Sequence, residues 1–424
     1  MALLDIAADW ARMRGRRLTA ITIDHGLNPA SPDWSRLSRA AAHRAGVDWL
    51  ERLWQDDKPK TGLTAAARTA RHALIAEAAR ASGAKVVLLA HTADDIAESD
   101  WMRARPMAGG GSTLGRLREW SPSPAWPEGR GLMLFRPMLD ERREVLRDWL
   151  RARGQDWIED PGNADPRFGR SRARAALGDK AGGKGEDEAH RDPSLSLPRS
   201  SRSVRRASTP LALGEGFRVE SSVDATELAA VILCASGRTE PVRRDRLDRL
   251  MQRLGQGEAF VATLSGARIE AGVGGVIVGR EPGEQHRRPI PALALTPGVP
   301  AVWDGRYEIT VDQPGWTVTA AAGRLNRLSE ADRAVLKTVR ASQRATLPIL
   351  TRAILTRAIL IRPVLIRDEG DAPVLAWRKA DVRALAPRRL SLFLDALAGE
   401  TTQEADLERT IHGETPPPDL FSHD

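Results

Sequence analysis

The chain is nearly free of cysteine and has no long apolar run. One cysteine, Cys234, in 424 residues excludes a disulfide framework and any all-cysteine metal or iron–sulfur site. No run of about 18 apolar residues occurs, so the sequence predicts no membrane-spanning helix. The opening residues MALLDIAADW carry acids where a signal peptide needs cations. These absences together predict a cytoplasmic protein.

What the chain has in excess is positive charge. Its 64 Lys and Arg residues against 56 Asp and Glu give a net charge of +8. A basic surface suits a polyanion, and RNA is the commonest such partner in the cytoplasm. An Arg- and Ala-rich genome composition explains the same excess equally well. Hydrophobic residues make up 42% of the chain, enough for folded cores, and its length suggests two or three domains.

Helices and strands alternate along the first quarter of the chain. Ser31 and Pro32 are typical of a helix start, and Gly83 is well placed as a helix stop. Such alternation predicts a doubly wound parallel α/β sheet, in which ligands bind beyond the carboxyl ends of the strands. The pattern predicts helices over 3–14, 31–45 and 64–82 and from 93 onward, and strands over 18–23, 47–54 and 86–90.

Changes in composition divide the rest of the chain into a linker, two further domains and a tail. After a first domain over 1–177, residues 178–210 are expected to form a low-complexity basic linker. A middle domain over 211–290 is predicted to combine a helix over 224–254 with a hairpin over 259–280. A C-terminal α+β domain over 291–400 and a tail over 401–424 follow, with strands expected over 301–311 and 316–320. A five-residue echo, LTRAI LTRAI, within 347–367 predicts no amphipathic face.

Polar clusters follow the first and third predicted strands. They are Asp24-His25-Gly26 and His91 to Asp95, and their positions suggest one shared site. Asp94, Asp95 and Glu98 come close together on a helix that begins near residue 93. Three neighbouring carboxylates need a neutralising cation, either Mg²⁺ bridging nucleotide phosphates or an amine substrate. An acidic first turn favoured by the helix macrodipole explains the spacing at least as well.

Histidines and arginines near these clusters have two interpretations as well. His25 and His91 either contact a nucleotide or act as structural hydrogen-bonding groups. Arg68 and Arg71 lie one helical turn apart and could clamp phosphate together, although a solvated helix face is commoner. Arg170, Arg172 and Arg174 alternate as a track along an RNA backbone would, and surface solvation is again the commoner explanation.

Taken together, four motifs resemble one family. They are IDHGL at 23–27, AARTARH at 66–72, HTADDIAES at 91–99 and EDPGNADPRFGRSRAR at 159–174. Their order and spacing resemble the tRNA(Ile)-lysidine synthases, which belong to the PP-loop ATP-pyrophosphatase class. The resemblance covers 1–177 and returns over about 224–311. It implies ATP-dependent ligation of free L-lysine to C2 of the wobble cytidine of tRNA(Ile), through an adenylated intermediate.

The resemblance also implies residue roles. Asp24, His25, Gly26 and Thr92 would border the nucleotide. His91, Asp94 and Asp95 would be catalytic, the two aspartates would hold Mg²⁺, and Glu98 would bind lysine. The oligomeric state is left open, a homodimer being one option. The arginines expected to face tRNA are Arg68, Arg71, Arg170, Arg172 and Arg174.

One departure from the family pattern concerns the phosphate loop SGGxDS, which this sequence does not contain. The chain opens on MALLDIAADWA, which resembles the helix that follows that loop, so the first and central strand is expected to be missing. Its absence would split the sheet and bare two strand edges. An alternative function is therefore an inactive truncated remnant that retains tRNA binding only. A tRNA thiolase would need more cysteines than Cys234, and a soluble α/β protein with a basic tail is the third alternative.

Overall fold

The computed structural model describes residues 1–103, 117–157, 169–178, 207–352 and 372–398. Several predicted features lie outside these residues: most of the linker before residue 207, the acidic half of the fourth motif at 159–168, most of the five-residue echo and the tail. Within the described ranges, no helix is both long enough and apolar enough to cross a membrane.

The first domain alternates helices and strands much as the sequence predicts. Ser31 and Pro32 begin the second helix, and the third ends just before Ser82 and Gly83. Its helices are α1 (Ala2–Met13), α2 (Ser31–Arg44), α3 (Leu63–Ala81), α4 (Ala93–Arg103), α5 (Arg143–Ala152) and α6 (Gly169–Gly178). Its strands are β1 (Thr19–Asp24), β2 (Asp48–Leu53), β3 (Val86–Leu88), β4 (Trp120–Pro122) and β5 (Met133–Phe135).

These five strands form two separate sheets. β1 and β2 pair in parallel, while β3, β5 and β4 form a second sheet in that order. β3 and β5 are parallel, and β4 joins as an antiparallel edge that the sequence did not predict. No ladder joins β1 to β3 within the described ranges. The described strands therefore form the split sheet that the sequence predicts, and no other described strand pairs with the free edge of β1 or of β3.

Helix α3 packs against both of these sheets. It packs against β1 and β2, and its buried Ala76 and Ala79 cluster with Ala125, Leu132 and Val87 beside the second sheet. Small alanine side chains allow a helix to approach both layers closely. Helix packing, instead of strand pairing, holds the two halves of the domain together here.

The remaining described residues form two further cores. Strands β6 (Ser208–Pro210), β7 (Gly216–Val219), β8 (Phe260–Leu264), β9 (Ala267–Gly272) and β10 (Gly275–Arg280) make one antiparallel sheet, packed by α7 (Ala225–Ser236) and α8 (Arg244–Gly255). The next elements are α9 (Pro282–Arg287), β11 (Leu293–Ala294), β12 (Ala301–Trp303), β13 (Tyr307–Thr310), β14 (Trp316–Ala320), α10 (Glu330–Thr338), α11 (Ala341–Arg344), β15 (Pro348–Arg352), β16 (Val374–Leu375), β17 (Asp381–Ala384) and α12 (Leu385–Ala398).

Four predictions for this half differ from the structure. The single helix over 224–254 is broken into α7 and α8, because Gly237 takes a left-handed φ of +66° that ends α7. The hairpin over 259–280 is a three-stranded meander. The strand over 301–311 is a hairpin whose turn contains Asp304 and Gly305, both with positive φ. Residues 208–210, predicted as linker, form β6 paired with β7.

The last helix connects all three parts of the molecule. Leu390 and Leu394 of α12 enter the core of the middle sheet, while Leu392 and Ala396 on its other side cluster with Met133 of β5. Residues 385–398, predicted within a separate C-terminal domain, thus pack on the first domain as well.

Candidate active site

The first polar cluster forms a tight turn at the carboxyl end of β1. The backbone N–H of Gly26 donates to an Asp24 carboxylate oxygen over 2.8 Å, and Gly26 has a left-handed φ of +62°. The His25 ring meets Trp54 edge to face at 6.2 Å between centroids. Burial, followed by the charge of Arg71, lowers the pKa of His25. The turn formed by Asp24, His25 and Gly26 therefore carries a carboxylate and an imidazole whose charged form is disfavoured, and it lies near the positive charge of Arg71 on α3.

In the second cluster, Asp95 in the first turn of α4 reaches back to Thr92, the residue before the helix. One oxygen of Asp95, Oδ2, accepts hydrogen bonds from the backbone N–H and the hydroxyl of Thr92, each over 3.0 Å. Only one half of a capping box is present, because the carboxylate at the third helical position accepts from the Thr92 backbone while the Asp95 N–H donates to the Thr92 backbone oxygen and not to its hydroxyl. Thr92 is buried, and both of its donors to Asp95 lie in this turn. The local role of Asp95 is thus structural as well as electrostatic.

Asp94 joins α4 to α5. Its Oδ2 accepts the backbone N–H of Arg143 over 2.7 Å at the amino end of α5, where a negative charge is favoured by the helix dipole. Its Oδ1 lies 3.7 Å from the guanidinium of Arg142. One oxygen of Asp94 is therefore held firmly and the other only loosely.

Glu98 is the most buried member of the acidic cluster, at 1% exposed. Its Oε1 accepts from Arg174 Nε over 2.8 Å and lies 3.3 and 3.4 Å from the terminal nitrogens of Arg143. Its Oε2 is buried without a hydrogen-bond partner among the described residues. Two guanidinium groups on one oxygen stabilise a carboxylate that burial alone would disfavour.

The protein itself thus supplies cations to all three carboxylates. Arg170 lies 3.7 Å from Asp95 Oδ1, and Arg143 lies 3.7 Å from Asp95 Oδ2. Within the described residues, no group of three or more His, Cys, Asp or Glu side chains could hold a metal ion. Among the described residues, Asp94 Oδ1 and Asp95 Oδ1 each have a single arginine contact at 3.7 Å, and they are less buried than the unpartnered Oε2 of Glu98, so they are the carboxylate oxygens best placed for an added cation.

A basic group lies next to the acidic one. Burial and the charge of Arg170 lower the pKa of both Arg68 and Arg71 on α3. The guanidinium of Arg170 therefore lies near the Asp95 carboxylate, which it attracts, and near Arg68 and Arg71, which it repels. The charge of Arg71 also lowers the pKa of His25 at the end of β1 and of its chain neighbour His72.

Residues 170–174 differ from the predicted alternating track because they belong to helix α6. On a helix, Arg170 and Arg174 share a face, and Arg172 points away from it. The shared face meets α4, where Arg170 approaches Asp95 and Arg174 binds Glu98. The geometry therefore engages two of the three arginines with carboxylates, and RNA contact at Arg170, Arg172 and Arg174 stays a prediction.

Two histidines at this site are neutral near pH 7. Burial is the main cause that lowers the pKa of His91 to about 4, opposed by Asp95 and assisted by Arg136, Arg170 and Arg68. Burial also lowers the pKa of His72 to about 4. Neutral imidazoles can donate or accept hydrogen bonds without adding charge.

Sequence reasoning missed four residues of this site. They are His72 on α3, Arg136 directly after β5, and Arg142 and Arg143 at the start of α5. The short strand β5 was not predicted, so nothing marked Arg136 as a strand-end residue. Its position immediately after the apolar run Leu132 to Phe135 was the available signal.

Comparison with known proteins gives two findings. A model of the PP-loop domain matches residues 1–181. A tRNA(Ile)-lysidine synthase of Caulobacter vibrioides is 39% identical over 404 residues, which cover 94% of this chain and 91% of the relative. Enzymes of the same name from Hyphomonas neptunium and Rhizobium meliloti are 34% and 32% identical, over 64% and 76% of this chain and 76% and 72% of their own lengths.

Proposed function

The chain belongs to the tRNA(Ile)-lysidine synthase family, and on that premise we propose that it ligates free L-lysine to C2 of the wobble cytidine of tRNA(Ile) at the cost of ATP. The reaction takes place in the cytoplasm, where a single buried cysteine stays reduced. The observation that carries the proposal is the joined acidic and basic cluster at the carboxyl end of β3, the sheet edge at which α/β folds bind ligands.

The chemistry has two balanced steps. The C2 oxygen of cytidine attacks the α-phosphorus of ATP and releases pyrophosphate. A lysine amine then attacks C2, AMP leaves with the oxygen, and the amine proton passes to a base. Adenylation is needed because the C2 oxygen is otherwise a poor leaving group.

The charges of the described residues suggest which substrate group each of them binds. Arg68 and Arg71 attract the phosphates of the nucleotide or of the tRNA backbone. Asp24, His25, Gly26 and Thr92 border the nucleotide. Asp94 and Asp95 offer two loosely held oxygens to the magnesium ion that the nucleotide carries, and His91, neutral near pH 7, accepts hydrogen bonds beside them. Glu98 sets the position of Arg143 and Arg174, and through them the shape of the lysine pocket.

Mg²⁺ fits this site only as an ion carried by the nucleotide. The two available oxygens, Asp94 Oδ1 and Asp95 Oδ1, are suitable donors, and Mg²⁺ commonly takes one or two carboxylates with phosphate and water as its other ligands. Bound there, it would neutralise charge on the transferring phosphate. The arginines around the cluster neutralise the carboxylates when the ion is absent.

The experiment is lysine incorporation into a tRNA(Ile) transcript with ATP, with pyrophosphate release followed in parallel. Asp94→Asn and Asp95→Asn keep an oxygen to accept the capping hydrogen bonds but remove the charge. We expect each to lower kcat by about 100-fold. Asp148→Asn is the matched control, because Asp148 is an exposed acid on α5 that pairs with Arg151.

A second candidate function is a remnant that binds tRNA(Ile) without modifying it. The split between β1 and β3 favours it, since a broken sheet holds the two strand ends less firmly relative to each other. The same assay separates the two. Binding of tRNA(Ile) by the unaltered chain with neither pyrophosphate release nor lysine incorporation would establish the remnant and exclude the ligase.

A further inference from the structure

Arg136 is a buried arginine that the catalytic scheme does not use. It directly follows β5 and is 5% exposed. One terminal nitrogen, Nη1, donates to the backbone oxygen of Arg118 and to the hydroxyl of Ser121, each over 2.9 Å. Both acceptors are uncharged. These bonds fix the guanidinium in place, but neither of them supplies a counter-ion.

No carboxylate pairs with Arg136 in the part of the chain that the structure describes. Its Nε is buried and makes no hydrogen bond to any of those residues. Burial, reinforced by repulsion from Arg68, lowers the pKa of Arg136 to about 10, so the side chain is still charged near neutral pH. An unpaired buried charge is strongly unfavourable in a folded protein. A group retained at that cost is a candidate for binding something that the protein alone does not provide.

The location of Arg136 points to the active site. β5 runs parallel to β3, with Phe135 level with Leu88, so Arg136 and His91 leave the sheet at the same edge. The charge of Arg136 lowers the pKa of both His91 and His72. Both imidazoles are neutral near pH 7 and cannot offset the guanidinium. Positive charge therefore accumulates between α3 and the end of β5.

We propose that Arg136 binds an oxyanion of a small substrate at the inner wall of this site. A guanidinium recognises two oxygens of a planar or tetrahedral anion at once, which an ammonium group cannot do. Given the proposed function, two substrates carry such a group: the phosphates of the nucleotide and the carboxylate of free lysine. Anion binding itself does not depend on that function.

The test measures binding to the full chain by calorimetry and by thermal shift. The ligands are pyrophosphate, ATP with Mg²⁺, L-lysine, and cadaverine, which is lysine without its carboxylate. The variants are Arg136→Met, which removes the charge at similar length, and Arg136→Lys, which keeps the charge but loses the planar fork. Ser121→Ala is the matched control, because it removes one acceptor of Nη1 and leaves the guanidinium.

We expect Arg136→Met to fold and to melt, without ligand, at or above the temperature of the unaltered protein, since it loses an unpaired buried charge. Binding of the recognised anion should weaken by about 10- to 100-fold. The affinity of Arg136→Lys for that anion should lie between those of Arg136→Met and the unaltered protein. Ser121→Ala should bind the anion as tightly as the unaltered protein does.

The ligand series identifies the source of the anion. Weaker binding of pyrophosphate and ATP, with an unchanged preference for lysine over cadaverine, assigns Arg136 to the nucleotide. Loss of the preference for lysine over cadaverine, with unchanged pyrophosphate binding, assigns it to the amino acid.

Equal binding of all four ligands by Arg136→Met and the unaltered protein would overturn the proposal, and so would a Ser121→Ala variant as defective as Arg136→Met. Failure of the proposed function has a different signature. In that case no lysine is incorporated into tRNA(Ile), yet the binding of pyrophosphate or of L-lysine still depends on Arg136.

Discussion

The indole N–H of Trp126 donates to the backbone oxygen of Gly305 over 2.7 Å, joining the loop before β5 to the turn between β12 and β13. Trp126 is also covered by Arg389, whose guanidinium carbon lies 4.2 Å from the ring centre. Arg389 in turn donates to the backbone oxygen of Arg238, just after α7. Trp126 of the first domain therefore contacts the C-terminal part directly and is linked to the middle part through Arg389.

Trp126→Phe should weaken this junction while keeping an aromatic face for Arg389. The variant leaves the oxygen of Gly305 without its donor, which costs about 1–2 kcal/mol in the free energy of unfolding. Urea denaturation measures the loss. Trp10→Phe is the control, because Trp10 is 49% exposed on α1. An equal effect of the two substitutions would contradict a specific role of the indole N–H.

A second link across the same interface is the ion pair between Arg130 and Glu308, at 2.5 Å with both side chains less than one-fifth exposed. Arg130→Glu and Glu308→Arg should each destabilise the protein, and the double variant should recover much of the loss. A coupling of about 2 kcal/mol is expected from a double-mutant cycle. Additive effects of the two single changes would show that the pair does not hold the domains together.

Acid should destabilise the protein through His72. Burial, with help from Arg68 and Arg71, lowers its pKa from 6.5 to about 4. Between these values the unfolded chain takes up a proton that the folded protein refuses, so stability falls as pH falls from about 6.5 to about 4. The loss amounts to about 3 kcal/mol at the lower end.

His72→Gln should flatten the pH dependence of the unfolding free energy over that range. His43→Gln is the control, since His43 is exposed on α2. His91 has its pKa lowered in the same direction, so some slope is expected to persist in the His72 variant. An unchanged slope after His72→Gln would show that this histidine is not kept neutral by the fold.

The split sheet predicts uneven hydrogen exchange. In β1, alternate backbone N–H groups face β2 or the open edge, because among the described strands β1 pairs with β2 alone. We expect the open-edge amides of β1 to exchange much faster than those of β10, which is paired on both sides by β7 and β9. Exchange by mass spectrometry or NMR measures the difference, and uniform protection along β1 would refute it.

The two loosely held oxygens of the acidic cluster predict how ATP stabilises the protein. The part of the ATP-induced thermal shift that requires Mg²⁺ should disappear in Asp94→Asn/Asp95→Asn and persist in Asp148→Asn. A tenfold loss of affinity corresponds to about 1.4 kcal/mol of stabilisation. A full Mg²⁺-dependent shift in the double variant would remove these aspartates from the ion's ligands.

Local sequence signals explain why much of the first domain was predictable. The Ser31-Pro32 start, the Gly83 stop and the short apolar runs placed α2, α3, β1 and β2 within a residue or two of their observed bounds. The strand ends then marked His91, Asp94 and Asp95 as members of a candidate site, which stays a prediction. Each of these inferences depends on residues only a few positions apart.

The partners of the acidic cluster were not predictable in that way. Glu98 binds Arg143 and Arg174, which lie 45 and 76 positions further along the chain, and only the folded structure brings them together. The sequence led us to expect an external cation because it gave no sign that α5 and α6 would supply guanidinium groups. Arg136 was missed for a related reason, since a three-residue strand is too short to show a clear period.

The position of α12 has a consequence for biosynthesis. Met133 lies in a strand of the catalytic layer, yet its packing partners Leu392 and Ala396 belong to the last helix that the structure describes. While the ribosome is still translating the middle of the chain, that apolar surface lacks its cover and is open to chaperones or to other nascent chains. Premature termination before α12 would therefore damage the catalytic layer itself, far upstream of the missing residues.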